Sequence, residues 1–453
     1  MTNVNLDINL HYITRVEGHG NIVVNVKEGT IEKIQWQVPE APRFFEAMVV
    51  GQKWDVVHHI TSRICGICSI GHTLASLKAT EAAFGITLSE RDLKLRRLAI
   101  HAENLQSHIL HLGYLVLPDL MGVGSVIPLA ETNPKEVKIV VALHKLANQM
   151  SDMVCGRTTH PQRLIPGGFT KVPTKAELKA LRDGLKGAWG NIETVATLIH
   201  SLSAKLPNFA RETEFIALTS KAEYAIYDGD IGSTDTESAP VSRYLEYTNE
   251  YIVPQSTAKY AKHARESFMV GALARFNKNF GQLTDKAKGI AEMFGLKPVC
   301  HNPYMNNVAQ LVEIVHSWED SIRLIDELLN DASYNNNPPS PPFRKGGEEE
   351  KFPPLEKGGK GGFEHCGIGA IECPRGILYH DYTYDDKGFC TKANCIIPTN
   401  QNHANIQLDM EALVPQILDR PKEKIELALE MLVRAYDPCI SCSTHFLKIE
   451  FEQ

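Results

Sequence analysis

The sequence predicts a mainly helical α+β fold. We expect a central bundle of long helices, a small N-terminal β-hairpin region, and a loop- and strand-rich C-terminal part that encloses a buried metal site. Three observations support this prediction. Long stretches repeat apolar residues at helical spacing, residues 21–38 alternate apolar and polar side chains, and two Cys-x-x-Cys pairs lie almost a whole chain apart.

The composition is that of an ordinary soluble globular protein. The 453 residues are 43% hydrophobic and 22% charged, and the formal net charge is -7. This acidic balance argues against binding to nucleic acid, and no long apolar run or signal sequence predicts direct membrane insertion. We therefore expect a cytoplasmic protein, in which paired cysteines are more often metal ligands or catalytic groups than disulfides.

The secondary-structure prediction follows the chain from the N-terminus. Residues 21–38 form a hairpin with its turn at Glu28-Gly29, and Arg43 to Gly51 form one short helix. Residues 364–405 are strand-like and loop-rich. Longer helical patterns are predicted over residues 70–84, 89–117, 135–152, 175–206, 257–280, 309–332 and 408–436.

We interpret residues 1–445 as one large domain with an N-terminal β region at about 1–40 and a helical core at about 41–333 and 408–436. Residues 335–363 differ in kind because two Pro-Pro segments, each followed by Lys-Gly-Gly, repeat within them. Such Pro, Gly and charge content cannot pack a core, so we predict a disordered surface insertion. A linker between domains is the alternative.

The two cysteine pairs, Cys65/Cys68 and Cys439/Cys442, have the spacing that places two sulfurs on one side of a turn. They are too far apart for a zinc ribbon, and the long helices around them do not fit a thioredoxin-like motif. Two interpretations stay open: one shared four-thiolate site for iron, nickel, zinc or an iron–sulfur cluster, or two unrelated structural pairs.

Several motifs in one order resemble the large subunit of [NiFe]-hydrogenases. The signatures are Arg-x-Cys-Gly-x-Cys at 63–68 and Asp-Pro-Cys-x-x-Cys-x-x-His at 437–445. Segments 15–19, 43–46, 374–376 and 398–399 match in order as well, so the similarity covers nearly the whole chain except the insertion. The resemblance implies reversible cleavage of H2 into protons and electrons, and Phe44-Phe45 resembles the cytoplasmic, multimeric branch of that family.

The resemblance also implies a Ni-Fe(CN)2(CO) centre held by four thiolates. By position, Cys65 and Cys439 resemble the terminal nickel ligands, and Cys68 and Cys442 resemble the ligands that bridge nickel to iron. The carbon monoxide and cyanides come from maturation enzymes rather than from this chain. Cys439 is also the expected base for the proton.

Further family residues surround this centre. Arg375 resembles the arginine over the open metal face, and Thr399, with Pro398, resembles the contact to a cyanide. Asp437 and Asp119 resemble acids that position Arg375. Without the resemblance, arginine and aspartate in loops are usually solvated.

The proton route implied by the resemblance begins at Glu17, where a buried carboxylate with a raised pKa would suit a relay. On its own, Glu17 is better interpreted as an exposed turn residue. His72, one turn after Cys68, resembles a histidine beside a bridging thiolate; by itself it would be taken as a core histidine with satisfied hydrogen bonds.

A second metal is implied near the C-terminus. Glu46, His445 and the backbone carbonyl of Cys395 resemble the ligands of a magnesium ion, which prefers oxygen ligands and water. Alone, Glu46 would be a solvated helix carboxylate and His445 a surface residue. The tail 446–453 follows the histidine at which family precursors are cut, so we expect a maturation protease to remove it.

Two cysteines depart from the family pattern. Cys373 stands where alanine is usual, before Pro374, and Cys366 lies close by in sequence. Their spacing is loose for a metal site, so we expect a buried free thiol at Cys373.

The chain has no cysteine array for its own iron–sulfur clusters, so the resemblance implies an Fe–S small subunit as the electron partner. Further electron-transfer subunits and nickel chaperones are implied too. The alternatives are a regulatory H2 sensor, a zinc-stabilised scaffold, and the related quinone-site subunit of complex I, which lacks both cysteine pairs.

Overall fold

The computed structural model describes residues 5–335 and 364–444. The N-terminal region is a three-stranded antiparallel sheet in the order β1-β2-β3. Its strands are β1 (Leu6–Leu10), β2 (Asn21–Lys27) and β3 (Thr30–Gln37). The predicted hairpin is confirmed, because Lys27 pairs with Thr30 and the two turn residues, Glu28 and Gly29, both have positive φ. The strand β1 was not predicted.

The N-terminal half of the helical mass follows this sheet. Its helices are α1 (Phe45–Val49), α2 (Val57–Thr61), α3 (Ser69–Phe84), α4 (Glu90–Leu110), α5 (Leu117–Met121), α6 (Val126–Thr132) and α7 (Pro134–Cys155). Gly85 ends α3 with φ 63°, and the Ser89 hydroxyl caps α4 by accepting from the Asp92 amide. A π-helical turn over His111–Val116 joins α4 to α5, so the predicted helix 89–117 is confirmed except for this turn.

The middle of the chain contains short strands and shorter helices than the sequence predicts. Its strands are β4 (Leu164–Ile165), β5 (Gly168–Phe169), β6 (Glu214–Thr219), β7 (Asp230–Ser233), β8 (Glu250–Tyr251), β9 (Tyr260–Ala261) and β10 (Phe268–Met269). Its helices are α8 (Lys175–Gly187), α9 (Trp189–Leu202), α10 (Tyr244–Thr248), α11 (Ala272–Asn279), α12 (Asp285–Met293) and α13 (Asn306–Asn330).

Two helix predictions in this region are corrected. The pattern 175–206 splits into α8 and α9 at Ala188. The pattern 257–280 is helical only from Ala272, because β9 and β10 pair with β8 and β6 and Gly271 turns the chain with φ 117°. Strand pairing in the tertiary structure overrides the local helical spacing there.

The C-terminal part is an antiparallel three-stranded meander followed by helices. Its elements are β11 (His365–Cys373), β12 (Gly376–Tyr384), β13 (Cys390–Ile396), α14 (Pro398–Ile417), α15 (Lys422–Ala435) and α16 (Ile440–Ser443). Helix α14 starts ten residues before the predicted start at Leu408. The meander lies directly against α3, since a Cβ on Gly367 would stand 2.1 Å from the Ala79 carbonyl oxygen.

The mainly helical α+β prediction is confirmed. Within the described residues, no single helix is long and apolar enough to cross a membrane, and one bent pair, Glu90–Met121 with Val126–Thr132, passes by length and composition. Asn335 is described, but the rest of the predicted insertion to residue 363, His445 and the tail 446–453 lie outside the described residues.

Candidate metal centre

The two cysteine pairs meet. Cys65 ends a short 3-10 turn, and Cys68 is the N-cap of α3. Cys439 is the N-cap of α16, and Cys442 lies within that helix. All four sulfurs lie within 4.8 Å of one another, and all four residues are buried. The Cys65 and Cys439 sulfurs are 3.4 Å apart, and those of Cys439 and Cys442 are 2.7 Å apart, longer than a disulfide bond. The prediction of one shared site is therefore confirmed as geometry.

This cluster fits a soft metal. The Ile67 and Cys68 amides each donate to the Cys65 sulfur at 3.3 Å. Hydrogen bonds from Cys439 and Cys442 lower the pKa of Cys65, whereas burial raises the pKa values of Cys439 and Cys442. Four buried thiols can all become thiolates only when a cation compensates their charge, and sulfur ligands select soft metals.

Glu17 lies at the edge of the cluster. Its Oε2 accepts from the Cys439 thiol and from the Ser441 amide, both at 3.1 Å, while its carbonyl accepts from the Ile440 amide at 2.9 Å. Glu17 is half-buried rather than buried as expected, because it sits in a loop between the N-terminal strands. It therefore connects a cluster sulfur with the outside of the protein.

Gly18 makes this approach possible. Its φ is 84°, and a Cβ there would lie 2.7 Å from the Ser441 amide nitrogen. A side chain would push the loop that carries Glu17 away from α16.

Arg375 is buried beside the C-terminal cysteine pair. Its Nε donates to the Asp437 carbonyl at 2.6 Å and its Nη2 to Asp437 Oδ1 at 2.7 Å. Its Nη1 reaches the Ser107 hydroxyl at 3.3 Å. Burial opposes the charge, but Asp437 and the cysteine cluster hold the pKa of Arg375 well above its usual value. The guanidinium is thus a fixed positive charge beside the sulfurs.

Asp119 does not position Arg375, which corrects the prediction. Its Oδ1 accepts from Arg15 Nη2 at 2.5 Å and from Arg434 Nη2 at 3.0 Å, and its Oδ2 accepts from Arg434 Nε at 2.7 Å. Two other guanidinium groups therefore occupy both carboxylate oxygens. Asp119 links the N-terminal loop to α15.

Pro398 and Thr399 lie in the first turn of α14. The Thr399 hydroxyl oxygen accepts from the Cys439 amide at 3.0 Å, so it fixes the backbone of a cluster cysteine. Its hydroxyl proton is free to donate in another direction. Pro398 starts the helix with a residue whose missing N–H is no loss there.

His72 lies one turn into α3 and is buried. Its amide donates to the Cys68 carbonyl at 3.1 Å, and its ring Nδ1 lies 3.1 Å from Nε2 of His380 on β12. The other ring nitrogen of His380, Nδ1, lies 2.5 Å from the Tyr382 hydroxyl oxygen. His72 thus connects the first cysteine pair to the C-terminal sheet.

The predicted second metal site is partly described. Glu46 is buried on α1, and its Oε1 accepts from the Cys395 amide at 2.8 Å. Burial raises the pKa of Glu46, so a nearby cation would stabilise its charged form. Arg43, three residues earlier, donates its amide to the carbonyl of Thr444 at 2.8 Å. The third predicted ligand, His445, lies outside the described residues.

Cys373 and Cys366 do not form a joint site. They lie seven positions apart on the extended strand β11, Cys373 is buried, and Cys366 is exposed with its sulfur 3.6 Å from the Thr383 hydroxyl. The expectation of a buried free thiol at Cys373 is confirmed.

The sequence reasoning missed a buried brace behind Arg375. Arg275 donates to the carbonyls of Cys373 and Pro374 and forms ion pairs with Glu313 and Glu372, all fully buried. This brace fixes the backbone of the segment that carries Arg375. Part of the signal was available, since Glu372 directly precedes the Cys-Pro-Arg motif.

A second missed group is Glu103 in the middle of α4. Its carboxylate accepts from the Ile70 and Gly71 amides at 2.7 to 3.1 Å, so it caps α3 just after the first cysteine pair. Burial raises the pKa of Glu103 to about 8. A charged residue at the centre of a buried helix was the signal that could have revealed it.

Comparisons with known proteins agree with this geometry. The nickel-dependent hydrogenase family matches residues 43–141 and 212–445. Sulfhydrogenase 1 subunit alpha of Pyrococcus furiosus is 33% identical over 99% of this chain and 100% of its own. The NAD-reducing hydrogenase HoxS subunit beta of Cupriavidus necator is 29% identical over 96% and 94%, respectively.

A solved structure shows the same fold. The crystal structure of an NAD+-reducing [NiFe]-hydrogenase in the H2-reduced state superposes with a TM-score of 0.83 at 24% identity, covering 98% of this chain and 100% of that one.

Proposed function

The chain belongs to the nickel-dependent hydrogenase family and is an oxidoreductase acting on H2, and from this premise we propose that it is the catalytic large subunit that cleaves H2 reversibly and heterolytically. The observation that carries the proposal is the buried cluster of four cysteine sulfurs within 4.8 Å. The half-buried Glu17 carboxylate accepts from the Cys439 thiol, as a proton route would require, and the buried Arg375 guanidinium binds Asp437, two residues before Cys439, as a fixed positive charge nearby would require.

The four thiolates would hold a Ni-Fe(CN)2(CO) centre. Cys65, Cys68, Cys439 and Cys442 would hold this centre, with Cys65 and Cys439 in the positions of the family's nickel ligands and Cys68 and Cys442 in those of its ligands shared with iron. When bound, the centre supplies the Lewis acidity and redox capacity for splitting H2. The amides of Ile67 and Cys68 donate to the Cys65 sulfur and so stabilise negative charge on it.

Arg375 and the start of α14 would face the diatomic ligands. The guanidinium is oriented by Asp437, which accepts from both Nε and Nη2, while Nη1 donates to the Ser107 hydroxyl. The Thr399 hydroxyl, which already accepts from Cys439, can donate its proton to a cyanide, with Pro398 beside it. Directional donors in a buried place stabilise such anionic groups without reorganisation.

The proton would leave through Glu17. The Cys439 sulfur takes the proton released from H2 and passes it to Glu17 Oε2 over 3.1 Å. The Ser441 amide stabilises the carboxylate after the proton has moved on towards solvent. His72 would hold the first cysteine pair in position, because its amide donates to the Cys68 carbonyl and its ring contacts His380 on β12.

The second metal would be magnesium, bound by Glu46, the carbonyl of Cys395 and His445. A hard divalent ion suits an oxygen-rich site and compensates the buried Glu46 charge. It would tie the C-terminal segment to α1. The divalent ion would then be lost on chelation without loss of nickel.

The partners would be an Fe–S small subunit that receives the electrons, further electron-transfer subunits, nickel chaperones and a maturation protease that removes residues 446–453. The proposed location is cytoplasmic, as the resemblance to the cytoplasmic, multimeric branch of the family implies. Intact mass of the active subunit tests the cleavage, because a C-terminus still at Gln453 would contradict it.

Infrared absorption of the purified complex tests the main proposal. Bands in the carbon monoxide and cyanide stretching region, together with nickel and iron in elemental analysis, are the expected result. Zinc alone without such bands would show a metal-stabilised scaffold instead.

A further inference from the structure

Exposed apolar side chains gather on the segment that precedes the first cysteine pair. Phe44 caps the start of α1 and is 50% exposed, and Met48, one turn later, is 45% exposed. Twelve large hydrophobic residues are exposed among the described residues, and five of them belong to this segment or to the turn that pairs with it. We call these five the apolar strip: Phe44, Met48, Val50, Val56 and Phe389. Such a patch on a soluble protein marks an interaction site.

Phe44 has a backbone conformation that a bulky residue rarely adopts. Its φ is 56° and its ψ is 29°, in the left-handed region, which an L-residue enters only at a cost in free energy. Burial of the ring within this chain does not offset that cost fully, because half of the residue is exposed. Strained backbone of this kind is typical of functional positions, and an exposed aromatic ring is the typical anchor of a protein–protein interface.

Arg43 connects the apolar strip to the metal centre. Its Nη1 donates to the carbonyls of Ile64 and Ser441 at 2.7 and 3.3 Å, and each of these residues directly precedes a cysteine of the cluster. Its Nη2 donates to the Arg63 carbonyl at 3.3 Å. Phe44 is the next residue in the chain, so the strip begins beside both cysteine pairs.

The first cysteine pair lies closer to the surface than the second. Cys65 and Cys68 are 5% and 6% exposed, whereas Cys439 and Cys442 are each 1% exposed. Gly66, between the first two cysteines, is exposed, and a Cβ there would meet no atom within 4 Å. The surface at Gly66 therefore comes close to the cluster, on the same segment to which the strip is bonded.

The charges of this segment favour an acidic partner. Residues 43–66 contain three basic and two acidic side chains, and one of the two acids, Glu46, is buried. The whole chain has a formal net charge of -7, so the segment is positive on an acidic protein. Arg63 is exposed three residues before Gly66. A partner that carries an Fe–S cluster brings the negative charge of cysteine thiolates to this place, which is complementary.

We propose that the apolar strip, with Arg63 and Gly66, is the docking surface for the Fe–S small subunit, and that Phe44 is its anchor. This inference rests on the proposed function, because H2 oxidation at the cluster needs an electron carrier close by. The chain has no cysteine array of its own for an Fe–S cluster, so the partner supplies the carrier. Electron transfer slows steeply with distance, and an aromatic anchor beside Gly66 fixes that distance.

The first test measures association of the full-length chain with the small subunit. Phe44→Gly removes the ring and relaxes the backbone, because glycine adopts positive φ freely. The Kd should rise about tenfold or more, as expected when a central aromatic anchor is removed. The Tm of the chain alone should stay the same or rise. Phe44→Tyr retains the ring and should bind as the wild type does.

Two control variants separate the anchor from its parts. Glu28→Gly relieves the same kind of backbone strain, since Glu28 is exposed in the hairpin turn with φ 49°. Leu245→Ala removes an exposed apolar side chain from α10. Neither control should change the Kd. A Kd of Phe44→Gly within about twofold of the wild type, or a Tm that falls together with the affinity, would overturn the anchor.

Amide hydrogen exchange identifies what covers the apolar strip. We expect exchange in residues 44–56 to slow only when the small subunit binds. Slow exchange in the unprocessed chain that is lost on removal of residues 446–453 would assign the strip to the tail. Slow exchange that depends on the concentration of the chain alone would assign it to a second copy. Either of these two results would overturn the proposed partner.

Isotope exchange between H2 and D2O by the metal-loaded complex separates this inference from the proposed function, because the exchange needs no electron acceptor. In Phe44→Gly the exchange should match that of the wild type. Reduction of the small subunit's Fe–S clusters by H2, measured near the wild-type Kd, should fall several-fold. Normal reduction together with normal exchange would overturn the docking surface alone, whereas a wild type without exchange would overturn the proposed function.

Discussion

Replacing Glu17 with glutamine tests the proposed proton exit most directly. Glutamine keeps the length of the side chain and an acceptor oxygen for the Ser441 amide, which now lies 3.1 Å from Oε2. It cannot take up a proton from the Cys439 sulfur at the same distance. We therefore expect a small change in stability, about 0.5–1 kcal/mol for one altered hydrogen bond.

Activity should respond far more strongly. Loss of a positioned proton-transfer group typically costs about 10²-fold or more, which corresponds to roughly 2.7 kcal/mol of activation free energy. The assay is H2-dependent dye reduction by the purified complex, normalised to nickel content. Infrared bands of the metal centre should be unchanged, because Glu17 is not a proposed ligand.

A matched variant separates proton transfer from packing. Glu17→Asp retains a titratable carboxylate but is one methylene shorter, which would lengthen the 3.1 Å contact to Cys439 by about 1.5 Å. Its activity should lie between those of the wild type and Glu17→Gln. If Glu17→Gln retains activity within about twofold of the wild type at full nickel content, the proposed exit is wrong.

Three further variants test the rest of the site. Cys442→Ala should abolish nickel binding and activity, whereas Cys155→Ala, at a buried free cysteine on α7, should retain nickel in elemental analysis. Arg375→Lys cannot make both bonds to Asp437, so nickel should remain while H2 oxidation falls by about 10² or more; near-normal rates would contradict its role. Glu46→Gln should lower the Tm of the complex and remove its sensitivity to a chelator of divalent ions; a chelator response equal to that of the wild type would exclude the magnesium site.

The parts of the fold that depend on local patterns could be predicted. The hairpin at 21–37 follows from alternating apolar and polar residues around a two-residue turn, and α3 follows from apolar spacing ended by a glycine. The region 257–271 could not be predicted, because its backbone is set by strand pairing: β10 pairs with β6, which is far away in sequence, and β9 pairs with the nearby two-residue strand β8. The early start of α14 was missed because Pro398 was taken as part of a loop rather than as a first helical residue.

The candidate site also has a part that could be predicted from the sequence and a part that could not. The cysteine spacing left a shared metal site and two separate pairs open, and the structure brings the four sulfurs together. The family motifs named Glu17, which contacts the Cys439 sulfur, and Arg375, which binds Asp437 two residues before Cys439. Partners that lie far apart in sequence were not predictable. The braces at Arg275 and Glu103 depend on which buried faces meet, and a single sequence does not contain that information.

The contacts of Asp119 explain how Glu17, the proposed proton exit, is held in place. Arg15 is two residues before Glu17, and Arg434 is three residues before Asp437, so the two arginines that bind Asp119 flank the two halves of the site. Arg434 also donates to the Thr14 carbonyl at 3.2 Å. This ion cluster joins the N-terminal loop to the end of α15 by contacts that are almost fully buried on the Asp119 and Arg434 side chains. The 3.1 Å contact between Glu17 and Cys439 is therefore fixed from both chain segments.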